Sequence, residues 1–253
     1  MTFVKGAVTG APTPVWIGTS GWSYPSWARD LYAGVPRAHW LAAYAARFDA
    51  VEVDASFYRA IARTTYARWR ADTPAPFRFA IKGHRYLTHV RRLDGVDAAL
   101  ARQRDAAAAL GDKLAAVLWQ LPARFARNLD RLRCFAHALA AWPAVRHAIE
   151  FRHPSWFDDA VAELLAHYRI ANCQSDAADW PRWDAVTTDV VYVRLHGRVL
   201  TYESRYDARA LRRWADRIER WRGERRTVYV YFDNTDSGHA WRDALRLRAL
   251  LSR

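Results

Sequence analysis

Val191-Tyr192-Val193-Arg194-Leu195-His196 decides the fold. Strand side chains alternate between faces, so Val191, Val193 and Leu195 share one face and Tyr192, Arg194 and His196 share the other. An apolar face suits packing against helices, and an opposite face ending in Arg and His suits the mouth of a barrel. The same form recurs along the chain: Val51-Glu52-Val53-Asp54, Phe79-Ala80-Ile81-Lys82, Val117-Leu118-Trp119-Gln120, Ile149-Glu150-Phe151-Arg152, Ile170-Ala171-Asn172-Cys173-Gln174 and Val228-Tyr229-Val230-Tyr231-Phe232-Asp233. With Val15-Trp16-Ile17-Gly18 there are about eight such runs, and eight strand–helix units predict an α/β chain folded as a single (β/α)8 TIM-like barrel of parallel strands.

Between the runs the apolar period becomes helical. Helices are expected over 38–48, 96–110, 129–139, 157–167, 211–221 and 240–251, with Asn128 and Asp207 as N-caps and Ser155 and Ser237 as weaker ones. Ala177 to Thr188, with Pro181 and two Trp, reads as a loop or short helix. No Gly- or Ser-rich linker divides the 253 residues, so one barrel domain over 15–253 is expected, after a flexible tail over 1–14.

The formal charge of +13 suggests an anionic partner, but Lys occurs only at positions 5, 82 and 113, so nearly all the basic residues are Arg. Arg209, Arg212, Arg213, Arg217 and Arg220 have the spacing of a solvated helix face, and such a bias also arises from the base composition of a coding sequence. The first residues hold no signal-peptide core and no run of about 18 apolar residues exists, so no membrane span and a cytoplasmic location are expected. Cys134 and Cys173 form neither a disulfide framework nor a zinc spacing, and Cys173 is read as helix-facing core.

Requiring an apolar helix-facing set turns Glu52, Asp54, Lys82, Gln120, Glu150 and Arg152 inward. The same test turns in Asn172, Gln174 and Asp176, then Tyr192, Arg194 and His196, and Tyr229, Tyr231 and Asp233. The first strand is ambiguous: either Trp16 and Gly18 or Val15 and Ile17 face in. Ion pairing of Glu150 with Arg152 or Arg194, and of Glu52 with Lys82, accounts for some of these charges. Buried pairs stabilise little compared with apolar packing, so a crowd of ionisable strand ends favours a ligand site.

At these residues the chain resembles the domain-of-unknown-function family number 72, the YecE-like proteins. The likeness runs through Gly18-Thr-Ser-Gly-Trp22 with Tyr24 and Trp27, Val51-Glu-Val-Asp-Ala-Ser-Phe-Tyr58, Phe79-Ala-Ile-Lys82 with Thr88-His89, and Gln120-Leu-Pro122. It continues in Glu150-Phe-Arg-His153 with Trp156, Tyr192-Val-Arg-Leu-His-Gly197 and Tyr231-Phe-Asp-Asn234. The resemblance implies a TIM-like barrel and no particular reaction. Asp54 departs from it, since the family more often has Asn there.

Chemically, Glu52, Glu150 and His196 are the candidate catalytic groups: carboxylates facing across a mouth can act as acid and base when a cation holds one ionised. Lys82, Arg152 and Arg194 are candidate anion binders. Ser20, Trp22, Tyr24, Asp54, Tyr58, His89, Gln120, His153, Asp176 and Asn234 complete the substrate-binding set. The Gly18–Trp22 turn offers amides to an anion or simply makes a tight turn. His89 and His153 read as proton shuttles or loop caps, and Trp22, Tyr24, Trp27, Tyr58, Trp156 and Tyr202 as rim aromatics. Glu52, Glu150, Asp176, His196 and Asp233 could hold a divalent metal, although the interleaved cations oppose one; no organic cofactor motif is present, and the cofactor is unknown. Three functions stand open: an enzyme on a small phosphate- or carboxylate-bearing substrate, a nucleic-acid-binding or phosphodiesterase/endonuclease-like barrel, and a non-catalytic binding protein. Arg around the mouth favours nucleic acid; Arg scattered over the outer helices favours a small ligand.

Overall fold

Eight parallel strands make up the sheet of the computed structural model, which describes residues 13–252. In chain order the elements are β1 (Val15–Thr19), α1 (Trp40–Ala45), β2 (Ala50–Val53), α2 (Ala55–Tyr58), α3 (Arg63–Ala71), β3 (Arg78–Lys82), α4 (Asp97–Ala107) and β4 (Leu114–Gln120). Then come α5 (Leu129–Leu139), β5 (Arg146–Glu150), α6 (Asp159–His167), β6 (Ile170–Ala177), β7 (Val190–Gly197), α7 (Ala208–Gly223), β8 (Thr227–Phe232) and α8 (Ala240–Leu251). Neighbours run β1-β8-β7-β6-β5-β4-β3-β2, the order of a barrel opened between β1 and β2.

That seam is closed by a single Ser20–Glu52 bridge, with the Gly21 amide donating to the Glu52 carbonyl at 2.7 Å. Two glycines allow it. A Cβ on Gly18 would lie 1.8 Å from the Ala50 carbonyl oxygen, and Gly21 has φ +75°.

The expected helices form, with differences. Arg63–Ala71 is a helix that the sequence reading passed over, and no helix forms between β6 and β7. Asn128 and Asp207 cap α5 and α7, accepting from the Arg131 and Ala210 amides. Ser155 and Ser237 are not caps of their helices: Asp158 caps α6, and His239 holds the N-cap position of α8 without a side-chain hydrogen bond. The tail expected over 1–14 lies outside the described residues except Thr13 and Pro14. Those two are tied to the barrel base through Thr13 Oγ1 to the Arg226 carbonyl at 2.8 Å and the Val228 amide to the Pro14 carbonyl. Among the described residues no helix is long and apolar enough to cross a membrane.

The outer layer of the core joins Ile17, Val51, Phe79, Val117, Ile149, Val193 and Val230 to the helices. The lumen is filled unevenly. Ala50, Ala80, Ala116, Ala148 and Ala171 line β2 to β6, and the room they leave is taken by Trp16, Tyr192, Tyr229 and Tyr231. Trp16 in this cluster resolves the first strand: Trp16 and Gly18 face in.

β6 corrects the alternation argument. Ala171, Cys173 and Ser175 face the lumen, so Cys173 is not helix-facing, and Asn172, Gln174 and Asp176 face out. The reason is local. The connection over 178–189 has no helix, and its backbone covers β6, with the Trp183 and Ala185 carbonyls accepting from Asn172 Nδ2 and the Ala185 carbonyl from Gln174 Nε2. Trp214 on α7 donates to Asp176 at 3.0 Å. A polar outer face is satisfied there by loop carbonyls and an indole, so the apolar requirement does not apply.

Candidate active site at the barrel mouth

Arg194 is the centre of the mouth. Its strand turns it inward above Tyr192, and its guanidinium is fully buried. Nη2 donates to Glu52 Oε1 at 2.8 Å and to Asp233 Oδ2 at 2.9 Å, Nε reaches both Glu52 oxygens at 3.1 Å, and Nη1 reaches Glu150 Oε2 at 3.0 Å. The rest of Glu52 is also taken: Ser20 Oγ donates to Oε1 at 2.8 Å and the Tyr192 hydroxyl to Oε2 at 2.6 Å. Burial and the Glu52 charge push the Tyr192 phenol well up, so it remains a donor.

Burial alone would raise Glu150, but Arg194, then Arg152 and His196, outweigh it and hold the carboxyl well below its usual range. Asp233 is likewise held low, with burial outweighed by Arg194 and the His196 contact. Arg194 rises well above its ordinary value, because the three carboxylates outweigh its burial.

His196 lies between two acids, with Nε2 3.0 Å from Glu150 Oε1 and Nδ1 2.9 Å from Asp233 Oδ2. Ser175, which the alternation reading turned outward, donates to Glu150 Oε1 at 3.0 Å. The imidazole is fully buried because Trp180 covers it at a ring separation of 4.4 Å and Tyr202 meets it edge-on at 5.7 Å. Tyr202 holds that place with φ +70°, the left-handed region that a Tyr rarely adopts. Arg152 lies 3.7 Å from the Trp180 ring centre and 3.7 Å from Glu150 Oε2, and its buried Nε has no hydrogen-bond partner among the described residues. Trp180 carries no motif, and only its position in a Pro-containing loop after a strand could have drawn attention to it.

A family described as "Protein of unknown function DUF72" matches residues 16–253. The chain belongs to the DUF72 family. It is 26% identical over 245 residues to the UPF0759 protein YunF of Bacillus subtilis, covering 83% of this chain and 86% of that protein. Crystal structures of DUF72 proteins share the fold. One from Enterococcus faecalis has TM-score 0.84 at 18% identity, over 95% of this chain and 96% of that one. One from Thermotoga maritima has 0.81 at 24% identity, over 94% and 99%.

The DUF72 barrel brings Glu52, Glu150, Arg152, Arg194 and His196 together, and Ser20 and Asp233 with them. Lys82 pairs with Asp54 at 2.6 Å, not with Glu52, and its ammonium sits 4.5 Å over the Phe57 ring. His89 is half-buried beside Phe57 and is held down to about 4, by burial first and then by Arg152, Arg85 and Lys82. Gln120 is buried at the mouth, and its side chain makes no hydrogen bond among the described residues.

Other candidates lie elsewhere. Asp176 faces α7 and does not enter the mouth. Asn234 spends its amide on the Ser204 carbonyl and Asp243, fixing the β8 loop. His153 caps its own turn through Ser155. Tyr58 is largely exposed, Trp22 packs edge-on against Trp69 at 5.1 Å, and Tyr24 donates to the Ser20 carbonyl at 2.6 Å. Trp27 and Trp156 are core, not rim. The Gly18–Trp22 amides are largely spent: Thr19 on the Tyr44 hydroxyl, Ser20 on the Phe232 carbonyl and Gly21 on the Glu52 carbonyl. That makes the segment a closing turn. Among the described residues no group of three or more His, Cys, Asp or Glu is arranged to hold a metal; a guanidinium stands between the acids instead.

Proposed function

We propose that this mouth is the active site of an enzyme acting on a small phosphate- or carboxylate-bearing substrate. Arg152 and Lys82 hold the anion, Gln120 orients it, and Glu150 with His196 exchanges a proton across their 3.0 Å contact. Asp233 Oδ2 lies 2.9 Å from the far nitrogen, Nδ1, without hydrogen-bond geometry, and acts on the imidazole through its charge. Arg194 and Glu52 are committed to one another and act as the rigid base that sets Glu150.

The observation that carries this reading is the uneven commitment of the cations. Arg194 is saturated by acids, whereas among the described residues Arg152 keeps an unpartnered Nε and Lys82 pairs with the one acid Asp54. The depressed His89 supports it, since after burial the positive field of Arg152, Arg85 and Lys82 is what keeps that imidazole neutral. Arg209, Arg212, Arg213 and Arg220 lie exposed on the outer helix α7, which favours a small ligand over a nucleic-acid grip at the mouth.

The test is a thermal-melt screen with inorganic phosphate, citrate, sugar phosphates and 2-oxo acids on wild type and Arg152→Gln. At least one anion is expected to raise the wild-type Tm and leave the variant unmoved. Equal shifts in both proteins, or none in either, would refute the assignment.

A second reading rests on a groove of about 670 Å³ beside the mouth, lined by Trp22, Arg37, His39, Arg59 and Arg68 along with Asp54 and Asp72. Aromatic and basic side chains in one groove suit a single nucleic-acid strand held without sequence preference.

A further inference from the structure

We infer that a second cavity, separate from the mouth, binds a small carboxylate with an apolar body. Helix α4 creates it. Ala99, Arg102, Gln103 and Ala106 stand at i, i+3, i+4 and i+7 and so share one face. Where a packed barrel helix would present Leu or Ile, this face presents two methyl groups, and the space left is a cavity of about 320 Å³. That volume is at the lower end of small-molecule sites.

The floor is apolar: Ile61, Tyr66 and Leu87 are all buried and line it. The opening is basic. Arg59 and Arg102 are exposed at the rim, neither has an ion-pair partner among the described residues, and no Asp or Glu lines the cavity. A hydrocarbon body would fill the floor and a carboxylate would meet the two guanidiniums, which bind that group in a planar fork. The walls are fixed. Ser56 Oγ and Gln103 Nε2 both donate to the Lys82 carbonyl, and Gln103 Oε1 accepts from the His84 amide.

Benzoate and its neutral analogue benzamide are the probes, read by saturation-transfer NMR on the full chain. Benzoate should bind with Kd of about 1 mM, and benzamide about tenfold more weakly, the difference that a single charge-assisted contact makes. Ala106→Trp fills the space and should abolish both signals. Arg102→Gln, an exposed change, should weaken benzoate, and Arg102→Gln with Arg59→Gln should bring it down to the level of benzamide. Arg152→Gln, at the mouth, should change neither, so failure here and failure of the mouth assignment remain distinguishable. No benzoate signal, equal binding of the two probes, or loss of binding in Arg152→Gln instead of Ala106→Trp would overturn the inference.

Discussion

Arg194 and Glu150 meet at 3.0 Å with neither side chain exposed to solvent, and the same guanidinium also holds Glu52 and Asp233. One cation thus bridges acids from three strands or their ends, and Glu150 beside His196 is kept ionised inside a barrel.

Arg194→Met keeps roughly the same volume and removes that cation. Leaving Glu52, Glu150 and Asp233 buried without it should cost about 3–5 kcal/mol in a urea melt at pH 7. The gap to wild type should also shrink with acid. Stranded carboxyls have raised folded-state pKa values, so acidifying toward pH 5 protonates them in the folded state first and should make the variant's deficit against wild type smaller than at pH 7. A loss under about 1 kcal/mol would show that the acids do not depend on Arg194.

Glu150→Gln should be far milder. Arg194 keeps Glu52 and Asp233, and the amide oxygen still accepts from Ser175, so a loss of about 1 kcal/mol is expected. Anion-induced melting shifts should survive through Arg152, while turnover of whichever anion proves to be substrate disappears. A stability loss of about 3–5 kcal/mol with turnover retained would make Glu150 part of the scaffold.

Alongside the similarly depressed His89, His147 should lower stability in the mildly acidic range. It is buried, accepts from Trp119 Nε1 through Nδ1 and contacts the Trp142 carbonyl through Nε2, and burial holds it at about 4 against an ordinary 6.5. The unfolded chain therefore binds a proton that the folded chain refuses between those values, so stability falls as pH drops from 6.5 toward 4, by about 3 kcal/mol in total. Below about pH 4 the depressed Glu150 and Asp233 add their own loss, because their stabilisation exists above the unfolded pKa and vanishes toward the folded one. Denaturant melts from pH 7 to 4 on wild type and His147→Gln test this; parallel curves would remove His147 from the account.

Trp180→Ala should uncover His196. Its ring sits over both His196 and Arg152, so removing it should speed modification of His196 by diethylpyrocarbonate, read by peptide mass spectrometry. The same change removes the cation–π attraction of Arg152 and should cost about 1 kcal/mol. An unchanged modification rate would mean that another group guards the imidazole.

Nucleic-acid binding should be weak and salt-limited. The Arg residues of α7 can neutralise phosphates without reading bases, so anisotropy titrations with a random duplex should show affinity dropping tenfold or more between about 50 and 200 mM salt. A nanomolar, sequence-selective complex at physiological salt would favour the nucleic-acid reading instead.

The barrel was legible because β2, β3, β4, β5, β7 and β8 each set an apolar outer face against a polar mouth residue, and that alternation put Glu52, Lys82, Glu150, Arg194 and His196 where they lie. It misled at β6, where Ala171 and Cys173 are small enough for a crowded lumen and loop carbonyls serve Asn172 and Gln174 outside. Helix α3 was missed because its apolar stripe is only Tyr66 and Trp69 among Arg and Thr. Charge pairing was only partly readable: Glu150 with Arg194 and Arg152 was among the alternatives, but Lys82 reaches Asp54 and Arg194 takes Glu52. Alternation fixes which face a side chain is on and not which neighbour its long chain reaches. The cover of Trp180 and Tyr202 comes from two irregular connections, whose path no periodicity encodes.

The Ser20–Glu52 bridge joins two roles in one residue. The residue whose backbone fastens the last edge of the cylinder to the first is also the residue whose carboxylate grips Arg194. Sealing the circle therefore also brings the carboxylate of β2 to the charge cluster. A barrel open at this seam keeps Arg194 paired with Glu150 and Asp233 but lacks the carboxylate of Glu52, so the buried Arg194–Glu52 contact also works as a lock on the seam.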